Sequence, residues 1–140
     1  MTTTGIAVGI DLGSTYSCVD IMNSDRVEIC INDYEKDTTH SWMSFTEDKI
    51  LCGDRDMEQA FTNIENSVYD SKRLLCLRFS DREVSNDQAG WPFFIVHVEG
   101  LPAYEVEYQG KTTRFAPEQI SAFILGKMKS VFDEIVQIKN

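Results

Sequence analysis

The densest group of residues able to take part in chemistry is the segment 9–16, with the sequence GIDLGSTY. Asp11 lies near the end of an apolar run, and Gly13, Ser14 and Thr15 form a turn directly after it. Glycine lets the backbone approach an anion, successive turn amides can bind phosphate oxygens, and a carboxylate beside such a turn suits hydrated Mg²⁺. The spacing is neither a Walker loop nor a Rossmann fingerprint. An ordinary hairpin with an aspartate near its tip is the competing interpretation.

A second candidate is a basic segment in a chain that is otherwise acidic. Four of the 13 Lys and Arg residues lie close together, at Lys72, Arg73, Arg78 and Arg82. A cluster of this kind is commonly a solvated face or a salt-bridged helix. The functional alternative is that one of these side chains, with Lys72 as the first choice, faces an anion. A lysine there would neutralise charge spread over phosphoryl oxygens.

Charge and length exclude several classes of protein. The chain has 140 residues, 23 acidic and 13 basic, which gives a formal charge of −10. This acidity argues against general nucleic-acid binding and against an anionic membrane surface. No apolar run approaches the roughly 18 residues of a membrane span, and the amino terminus does not resemble a secretory signal. We therefore expect a cytoplasmic protein, with the nucleus as an alternative, of about one domain.

Cysteine and histidine offer little further chemistry. The cysteines are too far apart for a zinc site, and we expect partly buried thiols without disulfides: Cys18, Cys30, Cys52 and Cys76. His40 lies in a polar loop, and His97 lies in a strand-like run where a structural role is the simpler interpretation. No nucleophile-elbow pattern supports a catalytic triad.

The elements that must position these residues begin with strands. Three apolar or alternating segments with short connections predict an antiparallel meander over residues 6–12, 16–22 and 27–31. After a polar loop over residues 32–41, short strands are predicted at 42–45 and 50–52.

The middle of the chain is predicted to be mixed. Asp54 can cap a helix that places Met57, Ala60, Phe61 and Ile64 on one face, and Ser67 can cap a second short helix through Lys72 and Leu75. Alternation predicts a hairpin with a third strand over residues 93–99, 103–109 and 112–115.

The last predicted element is a long amphipathic helix. Pro117 suits its first position, Glu118 its first turn, and an apolar stripe follows at Ile120, Phe123, Ile124, Met128, Val131, Ile135 and Ile138. We expect this helix to pack on the amino-terminal meander. A crossover helix is normally followed by a parallel strand, and none follows here, so the sheet is either small and complete or lacks a strand.

A series of short blocks extends over essentially all 140 residues. It begins with GIDLGSTYSCV at 9–19 and continues with RVEI at 26–29, Asn32-Asp33, Thr38-Thr39, Phe45-Thr46, Gly53-Asp54, NSVYDSKRLL at 66–75, Arg78-Phe79, WPF at 91–93, PEQIS at 117–121 and KMK at 127–129. Together these blocks resemble the seventy-kilodalton heat-shock chaperones. The first block is similar to that family's first phosphate motif, and the others follow in the family's order at nearly its spacing. Another actin-like ATPase or a sugar kinase would share the turn but not the later blocks.

The resemblance implies an α/β fold: an incomplete ribonuclease-H-like or actin-like ATPase lobe with an inserted α+β subdomain. Residues 1–31 and 116–140 would form the partial lobe, as a three-stranded meander plus the long helix. Residues 32–115 would form the smaller inserted subdomain.

The same resemblance assigns roles to site residues. Asp11 would hold Mg²⁺ through waters, and the phosphates of ATP or ADP would be bound by Gly13, Ser14, Thr15 and Tyr16. Ser14 replaces the family's usual threonine and keeps the hydroxyl. Lys72 would be the catalytic lysine, which contacts the transferring phosphoryl group and helps position the attacking water.

Five residues depart from the family's usual pattern: Asp20, Asp37, His40, Ile64 and Cys76. The family usually has a small residue, arginine, proline, proline and glycine at these positions, in that order. We expect these departures to affect structural positions and coupling between lobes or domains, and not the phosphate turn.

The function implied is that of an ATP-binding amino-terminal segment of a heat-shock-type chaperone ATPase. The family's second phosphate loop, adenosine-binding segments, second lobe and peptide-binding domain would all follow residue 140. We therefore expect weak nucleotide binding and no hydrolysis by this chain alone. Its first strand would be an open edge for self-association or for a chaperone cofactor. A non-catalytic truncated paralogue acting as a protein-interaction module, and an incomplete gene product, are the alternatives.

Overall fold

The computed structural model describes residues 6–23, 25–54 and 60–139. Within these ranges the fold is mixed α/β, with three small antiparallel sheets and three α-helices. The four cysteines, all in these ranges, form no disulfide. No helix in the same ranges is both long and apolar enough to cross a membrane.

The first sheet contains the predicted meander. Strand β1 (Val8–Leu12) pairs with β2 (Tyr16–Asn23), and β2 pairs with β3 (Arg26–Ile29), all antiparallel. A two-residue strand that was not predicted, β4 (Thr39–His40), pairs with the start of β2. The loop that was predicted to be irregular is therefore tied to the strand that follows the Gly13 turn.

The second sheet consists of three very short strands in the order β6-β5-β7. Strands β5 (Met43–Phe45) and β6 (Ile50–Cys52) confirm the two short strands predicted there. Strand β7 (Ser67–Val68) pairs with the other edge of β5 and was not predicted.

The short helix for which Ser67 was the predicted cap begins later in the chain than predicted. The Ser67 hydroxyl donates to the Asn63 carbonyl and lies 2.8 Å from the Ser44 hydroxyl across the β5–β7 pair. These bonds hold Ser67 in a strand, and the helix begins four residues later as α1 (Ser71–Leu74). Helix capping and cross-strand bonding use the same hydroxyl, so residue type alone did not distinguish them.

The helix predicted after Asp54 lies partly on residues 55–59, which are outside the described residues. After Ala60 the chain forms turns, and a single 3₁₀ turn spans Ile64–Asn66. The second half of the predicted helix is therefore wrong.

The third sheet confirms the predicted hairpin and its third strand. It comprises β8 (Phe94–Val98), β9 (Leu101–Tyr108) and β10 (Lys111–Phe115), in the order β10-β9-β8. Helix α2 (Arg82–Gln88) precedes it and was not predicted, because only Val84 among its residues is buried and no apolar stripe marks it.

The long helix α3 (Pro117–Lys139) is confirmed and joins two clusters of buried side chains. Its carboxyl-terminal half places Met128 and Val131 against Val19 and Ile21 of β2, as expected. Its amino-terminal half joins a larger cluster made of Met43, Phe45, Val68, Leu74, Val84, Phe93, Ile95, Tyr104, Val106, Ile120 and Ile124. Each fully buried side chain of this size contributes about 1.5–3 kcal/mol, so α3 holds the meander to the rest of the fold.

The departure at Cys76 coincides with backbone strain. Cys76 is exposed and has a φ of 64°, in the left-handed region that costs L side chains roughly 1–2 kcal/mol. We expect Cys76→Gly to raise the free energy of unfolding by about 0.5–1 kcal/mol, since the greater freedom of glycine in the unfolded chain offsets part of the relief. Urea denaturation checks this, with Cys76→Ser, which keeps the strain, as the matched control. A glycine variant no more stable than the serine variant would contradict the explanation.

Candidate functional site

The turn between β1 and β2 consists of Gly13, Ser14 and Thr15. A side-chain carbon at Gly13 would lie 2.1 Å from the carbonyl oxygen of Tyr16, which is far inside any contact distance. Only glycine therefore fits this turn without a shift of the backbone. Ser14 is half-buried, whereas Thr15 and Tyr16 are exposed. The turn is tight and leaves the side chains that were predicted to bind phosphate at the surface.

Strand β4 and the residue after it anchor this turn from one side. The Ser41 amide donates to the Thr15 carbonyl at 2.9 Å, and the buried hydroxyls of Ser17 and Ser41 lie 2.8 Å apart. The rings of His40 and Tyr16 are in contact, with centroids 4.5 Å apart. The position of the turn thus depends on residues that lie about twenty-five positions later in the sequence, and no local sequence pattern indicates this dependence.

The contact between His40 and Tyr16 corrects one expectation. His40 Nδ1 lies 2.5 Å from Asp54 Oδ1, and the Asp54 side chain is only 3% exposed. Asn32 Nδ2 and Lys36 Nζ donate to the same carboxylate at 3.0 and 3.4 Å. Because this network holds the ring that touches Tyr16, the departure at His40 does reach a residue predicted to bind phosphate, contrary to the expectation from sequence.

Asp11 lies exposed near the end of β1, opposite Cys18 of β2. Burial, and after it the carboxylates of Asp11 and Asp20, raise the pKa of the Cys18 thiol. Asp20 is paired with Gly9, and a side-chain carbon at Gly9 would approach its carboxylate to 2.7 Å. The face of the hairpin that carries Asp11 is therefore negatively charged.

The residues around Asp11 could supply only part of the ligand shell of a magnesium ion. Mg²⁺ prefers oxygen ligands and usually keeps several waters, with one or two carboxylates and phosphate oxygens completing the shell. Among the described residues no group of three or more His, Cys, Asp or Glu side chains could hold a metal ion. Asp11 would therefore supply one carboxylate, while water and phosphate oxygens would supply the other ligands.

Helix α1 brings Lys72 to the turn across sixty positions of sequence. The Lys72 ammonium donates to the carbonyl oxygen of Leu12 at 2.9 Å, directly before Gly13. An ammonium group has three N–H donors, so two others are available to an anion at this exposed position. The structure thus places the Lys72 ammonium at Leu12, between Asp11 and Gly13 in the sequence.

Arg73, the neighbour of Lys72 in the basic segment, has a structural role. The Arg73 guanidinium donates twice to the Asp87 carboxylate of α2, at 2.8 and 3.0 Å. The backbone amide of Arg78 donates to Asp81, which closes the turn before α2. The salt-bridged interpretation therefore holds for Arg73, whereas its neighbour Lys72 contacts the Leu12 carbonyl instead.

Comparison with known proteins agrees with the resemblance read from the blocks. The sequence profile of the family described as Hsp70 protein matches residues 7–139. The heat shock 70 kDa protein of Emericella nidulans is 47% identical over 123 residues, which are 88% of this chain and 19% of that protein. A ribosome-associated molecular chaperone of Nakaseomyces delphensis is 47% identical over 125 residues, 89% of this chain and 20% of that protein.

A third relative, the heat shock 70 kDa protein of Neurospora crassa, is 48% identical over 123 residues, 88% of this chain and 19% of its own length. The chain thus spans about a fifth of the length of these relatives. Because the family profile covers nearly all of its residues, the chain belongs to the Hsp70 family of heat-shock chaperones.

Proposed function

We propose that this chain is the ATP-binding amino-terminal segment of a heat-shock-type chaperone ATPase. The observation that carries the proposal is the placement of the Lys72 ammonium 2.9 Å from the Leu12 carbonyl, at a glycine turn that also presents Asp11. Family membership supports the actin-like lobe, built from residues 1–31 and 116–140 with residues 32–115 as an inserted subdomain. It also supports a cytoplasmic chaperone role.

The residues of this chain would divide the work of binding and hydrolysis. The amides and hydroxyls of Gly13, Ser14, Thr15 and Tyr16 would hold the phosphate oxygens. Asp11 would bind hydrated Mg²⁺, which when present neutralises charge on the phosphates. Lys72 would place its positive charge where negative charge develops on the transferring phosphoryl group, and would help orient the attacking water.

The chain by itself should bind Mg-ATP only weakly. A charge-assisted hydrogen bond contributes roughly 1.5–3 kcal/mol, and one turn with one lysine covers one side of a nucleotide. If the chain makes two or three fewer such contacts than a complete nucleotide site, its affinity for Mg-ATP falls on the order of a thousandfold or more. This follows because about 1.4 kcal/mol corresponds to a tenfold change in affinity. We expect a dissociation constant above about 1 mM and no turnover, measured by calorimetry and phosphorus NMR.

The controls for this titration are single variants. Lys72→Ala and Thr15→Ala should weaken whatever binding is seen, whereas Lys129→Ala should not, because Lys129 lies on α3 paired with Asp133. Micromolar binding that is lost in Lys72→Ala and Thr15→Ala would contradict the weak affinity, and binding that survives both would contradict the site itself.

An interaction role is the second candidate, because one sheet edge is open. Among the described residues β1 pairs with β2 alone, and Ile6, Val8 and Ile10 are 53%, 41% and 43% exposed. An apolar strand edge can pair with another strand, from a second copy or a chaperone cofactor. A sedimentation coefficient that rises with protein concentration and does not respond to Mg-ATP would favour this role over nucleotide binding.

A further inference from the structure

Lys72 is carried by a helix too short to determine its own direction. Helix α1 has four residues, and a single helical turn is not stable without tertiary contacts. The direction of Lys72 is therefore set by the residues that lead into the helix. These are Tyr69 and Asp70, together with Ser71, the first residue of the helix, and each is bonded to a different part of the fold.

Two of these bonds hold the chain on either side of Asp70. The Tyr104 hydroxyl, from a side chain fully buried in β9, donates to the Tyr69 carbonyl at 2.9 Å. The Ser71 hydroxyl lies 3.0 Å from that of Ser121 in α3, and both are buried. The position of this segment is thus determined from β9 and α3 together.

Asp70 itself has a left-handed backbone, with φ 58° and ψ 24°. An aspartate before a helix commonly caps it, but the Asp70 side chain makes no cap bond. Its carboxylate instead accepts from the indole N–H of Trp91 at 3.1 Å. The Trp91 ring is stacked on Phe93 with centroids 5.3 Å apart, which fixes the donor. Left-handed residues other than glycine persist where surrounding contacts hold them.

We propose that Asp70, held by the Trp91 indole N–H, is a positioning residue for Lys72. The left-handed turn at Asp70 sets the direction in which α1 leaves, and hence the side on which Lys72 reaches the Leu12 carbonyl beside the phosphate turn. This inference rests on the proposed function only in taking Lys72 as the cation that faces phosphate. The bond from Lys72 to Leu12 belongs to the nucleotide-free chain and can be tested there.

The test is the side-chain ammonium signal of Lys72 in nitrogen–proton NMR of the nucleotide-free chain, assigned by its loss in Lys72→Arg. Trp91→Phe keeps a ring on Phe93 but removes the donor, and Asp70→Ala removes the acceptor. Both should make exchange of the Lys72 ammonium protons with water roughly tenfold faster, the effect of losing a bond worth about 1.4 kcal/mol. Asp70→Asn keeps an acceptor oxygen and tolerates the left-handed backbone, so it should restore the signal.

Trp42→Phe is the matched control, because it changes the other tryptophan, whose ring is stacked on Tyr69. It should leave the Lys72 signal unchanged, and circular dichroism shows which variants are folded. If Asp70→Ala fails to fold, Trp91→Phe tests the same bond from the donor side. An unchanged Lys72 signal in folded Trp91→Phe, or equal loss in Trp42→Phe, would overturn the proposal. Absence of ATP binding with these NMR effects intact would overturn the proposed function and leave the positioning role standing.

Discussion

Gly13→Ala is expected to lower the free energy of unfolding by roughly 3 kcal/mol or more. The added carbon would lie 2.1 Å from the carbonyl oxygen of Tyr16, so the turn must open. Opening it separates the last pair of the β1–β2 ladder, Leu12 with Ser17. It also moves Leu12 away from Lys72. We therefore expect one added methyl group to lower the stability of the chain and to disrupt the proposed phosphate site.

Gly126→Ala is the matched control for this change. Gly126 lies in α3, a side-chain carbon there meets no atom within 4 Å, and alanine favours a helix by about 0.5–1 kcal/mol. The control should therefore be at least as stable as the parent chain. Chemical denaturation of both variants gives the comparison. A Gly13→Ala chain within about 1 kcal/mol of the parent would show that the turn is not as tight as described.

Lys72→Ala should have the largest effect on catalysis, and a graft makes that effect measurable. Residues 7–139, which the family profile matches, replace the corresponding segment of the Emericella nidulans heat shock 70 kDa protein, which is 47% identical to this chain over 123 residues. If our proposal is right, the graft hydrolyses ATP. Lys72→Ala should then lower kcat on the order of 10³-fold, because a fixed cation beside the transferring phosphoryl group stabilises mainly the transition state.

Arg73→Ala is the control in the graft, since it removes the adjacent cation. The Arg73 guanidinium is bonded to Asp87 and lies outside the site, so kcat should be unchanged while stability falls by at most about 1 kcal/mol. The ungrafted relative is assayed in parallel to establish the parental rate. A Lys72→Ala graft with kcat within about tenfold of the unmodified graft would remove Lys72 from the mechanism.

The elements with long periodic patterns could be predicted from the sequence. The stripe behind Pro117 predicted α3, and alternation on both sides of Gly100 predicted the β8–β9 hairpin. Strands β4 and β7 have two residues each, too few for any periodicity. They form because buried hydroxyl pairs such as Ser44 with Ser67 bring distant segments together, which is tertiary information.

The candidate site likewise has one part that could be predicted from the sequence and another part that could not. The glycine turn and Asp11 are contiguous, so their residue types suggested phosphate and magnesium. The basic cluster suggested only that Lys72 faces an anion, and its place at this turn came from the resemblance. The contacts of His40 with Tyr16 and of Asp70 with Trp91 could not be predicted from the sequence, because each contact joins distant segments of the chain. Asp70 fell inside the helix that was predicted to follow Ser67, so its place before α1 emerged only from the structure.

A titration of the isotopically labelled chain with Mg-ATP, followed residue by residue by NMR, tests the central claim most directly. It locates a weak site, which calorimetry can only quantify. We predict shifts at the amides of Gly13, Ser14, Thr15 and Tyr16 and at the Lys72 ammonium, saturating above about 1 mM nucleotide. Shifts that are absent from the turn at about 10 mM, or that lie mainly elsewhere in the chain, would contradict the account.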